Sequence, residues 1–232
     1  MLNTLTKGNL VLWQLTDSAL PTGSFAHSAG METYIQDGKI SNARTFQAWL
    51  ARYLDQTAYT DGLLVRMAID MVPQWSEERL LELDELARAV QIPAQIRKAS
   101  AAMGKRMATI AEILLPEVPV ITRYAEAIRS RQMSGHPAIA FGLVIGALGI
   151  DRLTGIRAYF MQVATSMTQN AIRGIPLGQD AGQRVLTAMH GPINRSAERT
   201  LDLDDAELGA TLPGLEVAQM RHEGLHSRMF IS

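Results

Sequence analysis

Residues 137–150 read PAIAFGLVIGALGI, a run with no charged or hydrogen-bonding side chain. At fourteen residues it falls short of the ~20 that a bilayer-spanning helix needs. Its all-round hydrophobicity predicts a helix buried on every side at the centre of the fold. Ala138, Gly142 and Gly146 fall at every fourth position, a stripe of small residues that lets another backbone approach closely. Glycine costs roughly 1 kcal/mol against alanine inside a helix, so its repetition here implies a packing reason. The Gly149 region caps the helix.

The flanking sequence carries the same signature. Phe46, Trp49, Leu50, Tyr53 and Leu54 lie at amphipathic-helix spacing, and Leu63, Leu64, Met67, Ala68 and Met71 extend the pattern to Pro73. Ser76 followed by Glu77 and Glu78 starts another helix, with acid in the positive first turn. A further one runs from about Pro93 and stops before Pro116, with Ile96, Ala99, Met103, Met107, Ile110 and Leu114 on one side. The next spans Leu153 to Ile172; Pro176 and Gly178 then make a break, and Asp180 starts a new helix. His190-Gly191-Pro192 reads as a turn, and LDLDDAEL (201–208) as a mobile, solvated connector. No stretch alternates with period two. The expectation is an all-α, single-domain helical bundle of roughly ten helices over residues 1–232.

Composition narrows the function. A net charge of −1 in 232 residues offers no polycation for nucleic acid, and the absence of cysteine excludes disulfides, thiolate metal sites and a cysteine nucleophile. The N-terminal MLNTLTKGNLVLWQL lacks the pattern of a signal peptide, so a cytoplasmic protein with no membrane segment is expected. The 12 methionines sit at core spacing, as gap-fillers do. MGKRMATIA (103–111) is not a phosphate loop, because no Gly lies five residues before Gly104 and no Ser or Thr follows Lys105.

Chemistry-bearing residues gather at both ends. LTDSALPTGSFAHSAGME (15–32) sets Ser24, His27, Ser28 and Glu32 around Pro21, Gly23 and Gly30. It reads as a helix–turn–helix corner with Ser24 as N-cap and His27 bonded within the first turn. A serine nucleophile at His27/Ser28 is the catalytic alternative, but Ala26 stands where a nucleophile elbow needs Gly. Near the other end, His222-Glu223-Gly224-Leu225-His226 is a literal H-E-x-x-H. On a helix His222 and His226 share a face and suit zinc, with Glu223 as base, which makes a zinc metallohydrolase the rival reading. Against it, residues 227–232 offer no third ligand and Gly224 weakens the helix.

The N-terminal corner resembles the signature of the UreF family of urease accessory proteins, approximately LSDSALPVGGFSHSGGLE. The resemblance continues in MGKRM (103–107), similar to the family's LGQRML with Lys105 for Gln, and in the His136-x-apolar-helix segment ending in Leu148-Gly149-Ile150. It goes on in IPLGQDAGQ (175–183), where Gly174 replaces a bulky apolar residue. It closes in PGLEVAQMRHEGLHSRMFIS (213–232), where Arg221, His222, Glu223, Leu225, Ser227, Arg228 and Phe230 match, His226 replaces Tyr and Ile231 replaces Arg. The resemblance implies a non-enzymatic, homodimeric scaffold that binds UreD (also called UreH) and recruits and regulates the GTPase UreG. That complex delivers nickel to the urease apoenzyme along an internal route, so the metal is handled transiently and no cofactor is bound stably. Residues 200–232 are then a partly mobile partner-binding segment, with Arg221, His222, Glu223, Arg228 and an exposed Phe230 docking UreD. Ser24, His27, Ser28 and Glu32, with Arg173 and Gln179 of the PLGQ turn, serve core assembly or face the GTPase.

Overall fold

The computed structural model describes residues 4–232, with side chains from Gly8 onward, so residues 1–3 of the expected domain lie outside the described part. The α-helices in chain order are α1 (Thr4–Thr16), α2 (Met31–Gln36), α3 (Ala43–Thr57), α4 (Leu63–Met71), α5 (Glu77–Ala89) and α6 (Ala94–Leu114). They continue as α7 (Pro119–Arg129), α8 (Pro137–Ala147), α9 (Arg152–Gly174), α10 (Gln179–Asp202) and α11 (Pro213–Arg221). The described residues contain no strand, and the architecture is all-α.

Helix α8 is the expected central helix. Every residue from Ala138 to Ile145 is buried, and it packs on α4, α6, α7 and α9. A Cβ added at Gly142 would sit 2.6 Å from the Val65 carbonyl oxygen, and one at Gly146 would sit 2.9 Å from that of Ile69. The small-residue stripe is therefore the track on which α4 lies. His136 caps α8, its ring accepting from the Ala138 N–H, while its own N–H donates to the Tyr124 hydroxyl at 2.9 Å. Asp84 secures that turn from α5, accepting from the Tyr124 hydroxyl and from the Ser134 and Gly135 N–H groups.

Some expectations are corrected. His190-Gly191-Pro192 is no turn: α10 runs straight through it, with Pro192 inside the helix. A proline there forfeits a backbone hydrogen bond, yet Val185, Leu186, Met189, Ile193 and Ala197 bury one continuous face and hold the helix. The acidic connector contains an ordered 3-10 turn, Asp205–Glu207, closed by a reciprocal capping box between Asp204 and Glu207. Helices α3 and α4 are joined without a break by a π-helical turn, Ala58–Gly62, that no periodicity signalled. It turns Asp61 toward the interior, where its carboxylate accepts from the Tyr159 hydroxyl at 2.6 Å. No described helix is long and apolar enough to cross a membrane.

Candidate functional site: a seam between the N-terminal corner and the C-terminal segment

The corner departs from a simple capped turn. Ser24 is the first residue of a 3-10 turn, Ser24–Ala26, whose cap position is Gly23; its hydroxyl meets that of Ser166 at 2.9 Å instead of capping a helix. Ala29 (φ 52°) and Gly30 (φ 89°) are both left-handed, and this sharp reversal launches α2. It also brings α2 onto α11, so closely that a Cβ at Gly30 would stand 2.8 Å from Gln219 Cγ.

The C-terminal segment folds into this corner and zips to it. The Ile231 N–H donates to the Ala26 carbonyl at 2.8 Å, and the Ser28 N–H donates to the Ser232 carbonyl at 2.5 Å. His27 Nδ1 lies 2.8 Å from the Ser232 hydroxyl. The Thr33 hydroxyl donates to the Ala218 carbonyl at 2.7 Å, and Gln36 Nε2 to the Ser227 carbonyl at 2.6 Å.

Glu32 is the hub. Buried on α2, its Oε1 accepts from the Met229 N–H at 2.6 Å, and its Oε2 accepts from the Phe230 N–H at 3.2 Å and lies 2.8 Å from His222 Nε2. A carboxyl group out of water needs such partners to replace the hydration it gives up. His222 is enclosed too, its Nδ1 lying 3.0 Å from the side-chain amide of Gln95 on α6. Arg173 completes the seam from α9. Its guanidinium donates to the Phe25 carbonyl and to Asn170 Oδ1, and stacks over the Phe230 ring with its carbon 5.1 Å from the centroid.

The zinc geometry is absent. Helix α11 ends at Arg221, His222–Gly224 is a 3-10 turn, and Leu225 leaves it extended. His222 is buried with both ring nitrogens engaged, whereas His226 and Glu223 are exposed. No cluster of three or more His, Asp or Glu suited to a metal occurs among the described residues. The His27/Ser28 alternative fails on the same kind of evidence. Ser28 is fully buried and its hydroxyl accepts from the Glu32 N–H, while His27 Nδ1 faces Ser232.

Phe230, expected to be exposed, is buried at 4%. A Cβ at position 174 would meet Ile35 Cδ1 at 2.9 Å and Phe230 Cε2 at 3.9 Å, so Gly174 leaves room for these two side chains. Thus Ser28, Glu32, Arg173, His222 and Phe230 come together with His27 in one seam. Arg221 lies at its rim, donating twice to Asp37 at 3.0 and 3.1 Å and holding that carboxyl below its usual range. Arg228 is exposed, and Gln179 is an exposed first residue of α10 outside the seam. Sequence reasoning missed Thr33, Gln36, Gln95, Asn170 and Gln219, the polar groups that hold the two ends together. Asn170, wholly buried in an apolar helix face, was the one detectable signal.

Beside the seam lies a partly open cavity of about 140 Å³, lined by Ser24, His27, Asp61, Gln91, Tyr159 and Ser232 among others. Burial lowers the His27 pKa from its ordinary 6.5 and favours the neutral ring. Burial, helped by the nearby Asp61, raises the hydroxyl pKa values of Tyr53 and Tyr159, which stay protonated.

Comparison with known proteins fits this architecture. A family model described as UreF matches residues 40–190. The chain is 42% identical over 224 residues to the urease accessory protein UreF of Arthrobacter sp. (strain FB24), covering 96% of each chain. It is 44% identical over 225 residues to that of Corynebacterium glutamicum (strain R), covering 97% of this chain and 98% of the relative. It is 41% identical to that of Paenarthrobacter aurescens (strain TC1), covering 96% and 97%. The family model spans the buried central helix, the relatives match over nearly the whole chain, and the chain belongs to the UreF family of urease accessory proteins.

Proposed function

We propose that this protein works as a non-enzymatic, cytoplasmic scaffold, homodimeric in action, that binds UreD/UreH and recruits and regulates the GTPase UreG during nickel insertion into the urease apoenzyme. One observation carries the scaffold reading: the seam clamps a segment whose apolar side chains face solvent. Val217, Met220, Met229 and Ile231 are 52%, 46%, 58% and 66% exposed on α11 and the residues after it. Apolar side chains gathered on one anchored segment fit a protein partner better than water. Residues 213–232 thereby dock UreD, with Arg228 and Glu223 at the rim. Phe230 and His222 act from beneath, fixing the shape of the docking segment. In this reading nickel is cargo handled transiently by the complex, and no cofactor is held stably in the chain.

The test is co-purification of the full chain, a chain ending at Met220, and the double variant Met229→Glu/Ile231→Glu with UreD and UreG from the same cell. The full chain brings down both partners. The exposed double variant, whose seam stays intact, loses UreD while melting like the wild type. A full chain that captures neither partner overturns the scaffold reading.

A further inference from the structure

Away from the seam, α5, α6 and the connection between α7 and α8 enclose an open cleft of about 740 Å³. Its walls carry Arg88, Arg97, Lys98, Lys105 and Arg131. The acid in the lining is Asp84, buried and already accepting from the Tyr124 hydroxyl and two backbone N–H groups. Arg97 is partly occupied, donating to the Gln91 and Ile92 carbonyls at the α5–α6 turn. Among the described residues the side chains of Arg88, Lys98, Lys105 and Arg131 make no ion pair or hydrogen bond, and all are exposed. In a chain of net charge −1, this is a local concentration of positive potential without counter-charge.

Between the cations the floor is short. Ala87, Ala94, Ala101 and Ala102 line it, and side chains of that size let a partner's backbone settle between the basic walls. Lys98 and Lys105 stand seven residues apart on α6, about 10 Å along its axis. Spread along the helix in this way, they suit an extended anion. No Phe, Tyr or Trp lines the cleft, so it offers no stacking platform to a nucleic acid base. Among elongated polyanions without bases, an acidic peptide is the one whose backbone fits between short alanine side chains.

We propose that this cleft is a docking groove for an acidic peptide segment of a protein partner, its carboxylates paired with Arg88, Lys98, Lys105 and Arg131 and its backbone against the alanine floor. It lies outside the corner–tail seam and is independent of the UreD-docking assignment.

Fluorescence anisotropy with a fluorescein-labelled deca-glutamate peptide at low salt tests it. The wild-type chain binds; Lys98→Glu/Lys105→Glu weakens binding by about tenfold or more; Arg52→Glu, an exposed cation of α3 outside the cleft, leaves it unchanged. Ala101→Trp fills the floor while keeping every charge, and it too weakens binding. Physiological salt, with its Debye length of about 8 Å, reduces the affinity but keeps the ranking of variants. The groove is overturned if Arg52→Glu costs as much as the cleft variant, if Ala101→Trp has no effect, or if inorganic phosphate or a single-stranded oligonucleotide displaces the peptide at equal charge concentration. Matching circular dichroism and melting of the variants exclude misfolding as the cause of any loss.

Discussion

The α4–α8 contact and the corner–tail seam are both buried, yet they are built from opposite materials. In the first, two backbones touch because glycine removes the side chains between them, and the nearest side chains, Ala68 and Val72, are apolar. In the second, backbone and side-chain hydrogen bonds converge on one carboxylate, Glu32, whose partners come from the far end of the chain. Shape holds the first and hydrogen bonding the second. A tightly packed apolar contact fails through volume, whereas a polar hub fails through a missing partner.

The largest effect belongs to the core. Gly142→Leu drives a side chain into the Val65 carbonyl and removes more than about 3 kcal/mol, giving insoluble or unfolded protein in thermal melts. Glu32→Ala comes next. It strands His222 and two backbone N–H groups and costs about 3 kcal/mol. Its distinguishing mark is early protease cleavage within 222–232, while hydrogen exchange in α8 keeps the protection of the remaining core. Cleavage spread evenly over the chain contradicts a separable seam.

Acid sharpens the contrast further. Burial depresses His27 and His136 below 6.5, so the fold holds both rings neutral. An unfolded chain takes up protons below about 6.5 that the native state refuses. The stability these rings contribute is therefore complete above that value and is lost as the pH falls through the folded pKa values. The melting temperature declines from pH ~7 to ~5, and His27→Asn makes the decline shallower; an unchanged slope removes His27 from the account. The smallest effect is a gain. Ala29 occupies a left-handed conformation that glycine adopts without a Cβ penalty, and Ala29→Gly raises stability by about 0.5 kcal/mol in denaturant titration.

The two regions were also unequally legible. The α8 core announced itself because its pattern is local: small residues every fourth position inside an uncharged run mean close helix contact wherever they occur. The π-turn at Ala58–Gly62 was hidden, because inserting one residue in a turn barely disturbs the apolar spacing on either side. The Pro192 helix was misread because proline's local cost is outweighed by a buried face only the tertiary structure reveals. At the seam, residue types were readable but partners were not. His222 looked for a histidine four residues on and finds a glutamate 190 residues away. Phe230 looked exposed because nothing near it in sequence could cover it; Arg173 and the space at Gly174 do so.

That separation of partners governs when the protein can finish folding. A chain emerging from the ribosome presents Glu32 early, but His222, Met229 and Phe230 follow only 190, 197 and 198 residues later. Until then the α2 carboxylate must remain in water, and the helices between can condense around α8 without it. Closing the seam is then a loop closure over almost the entire chain, an event of high contact order that falls late in folding. Until the distant partners arrive, the corner has no mate for its carboxylate, and long-range closure of this kind is where exchange of segments between chains becomes a hazard.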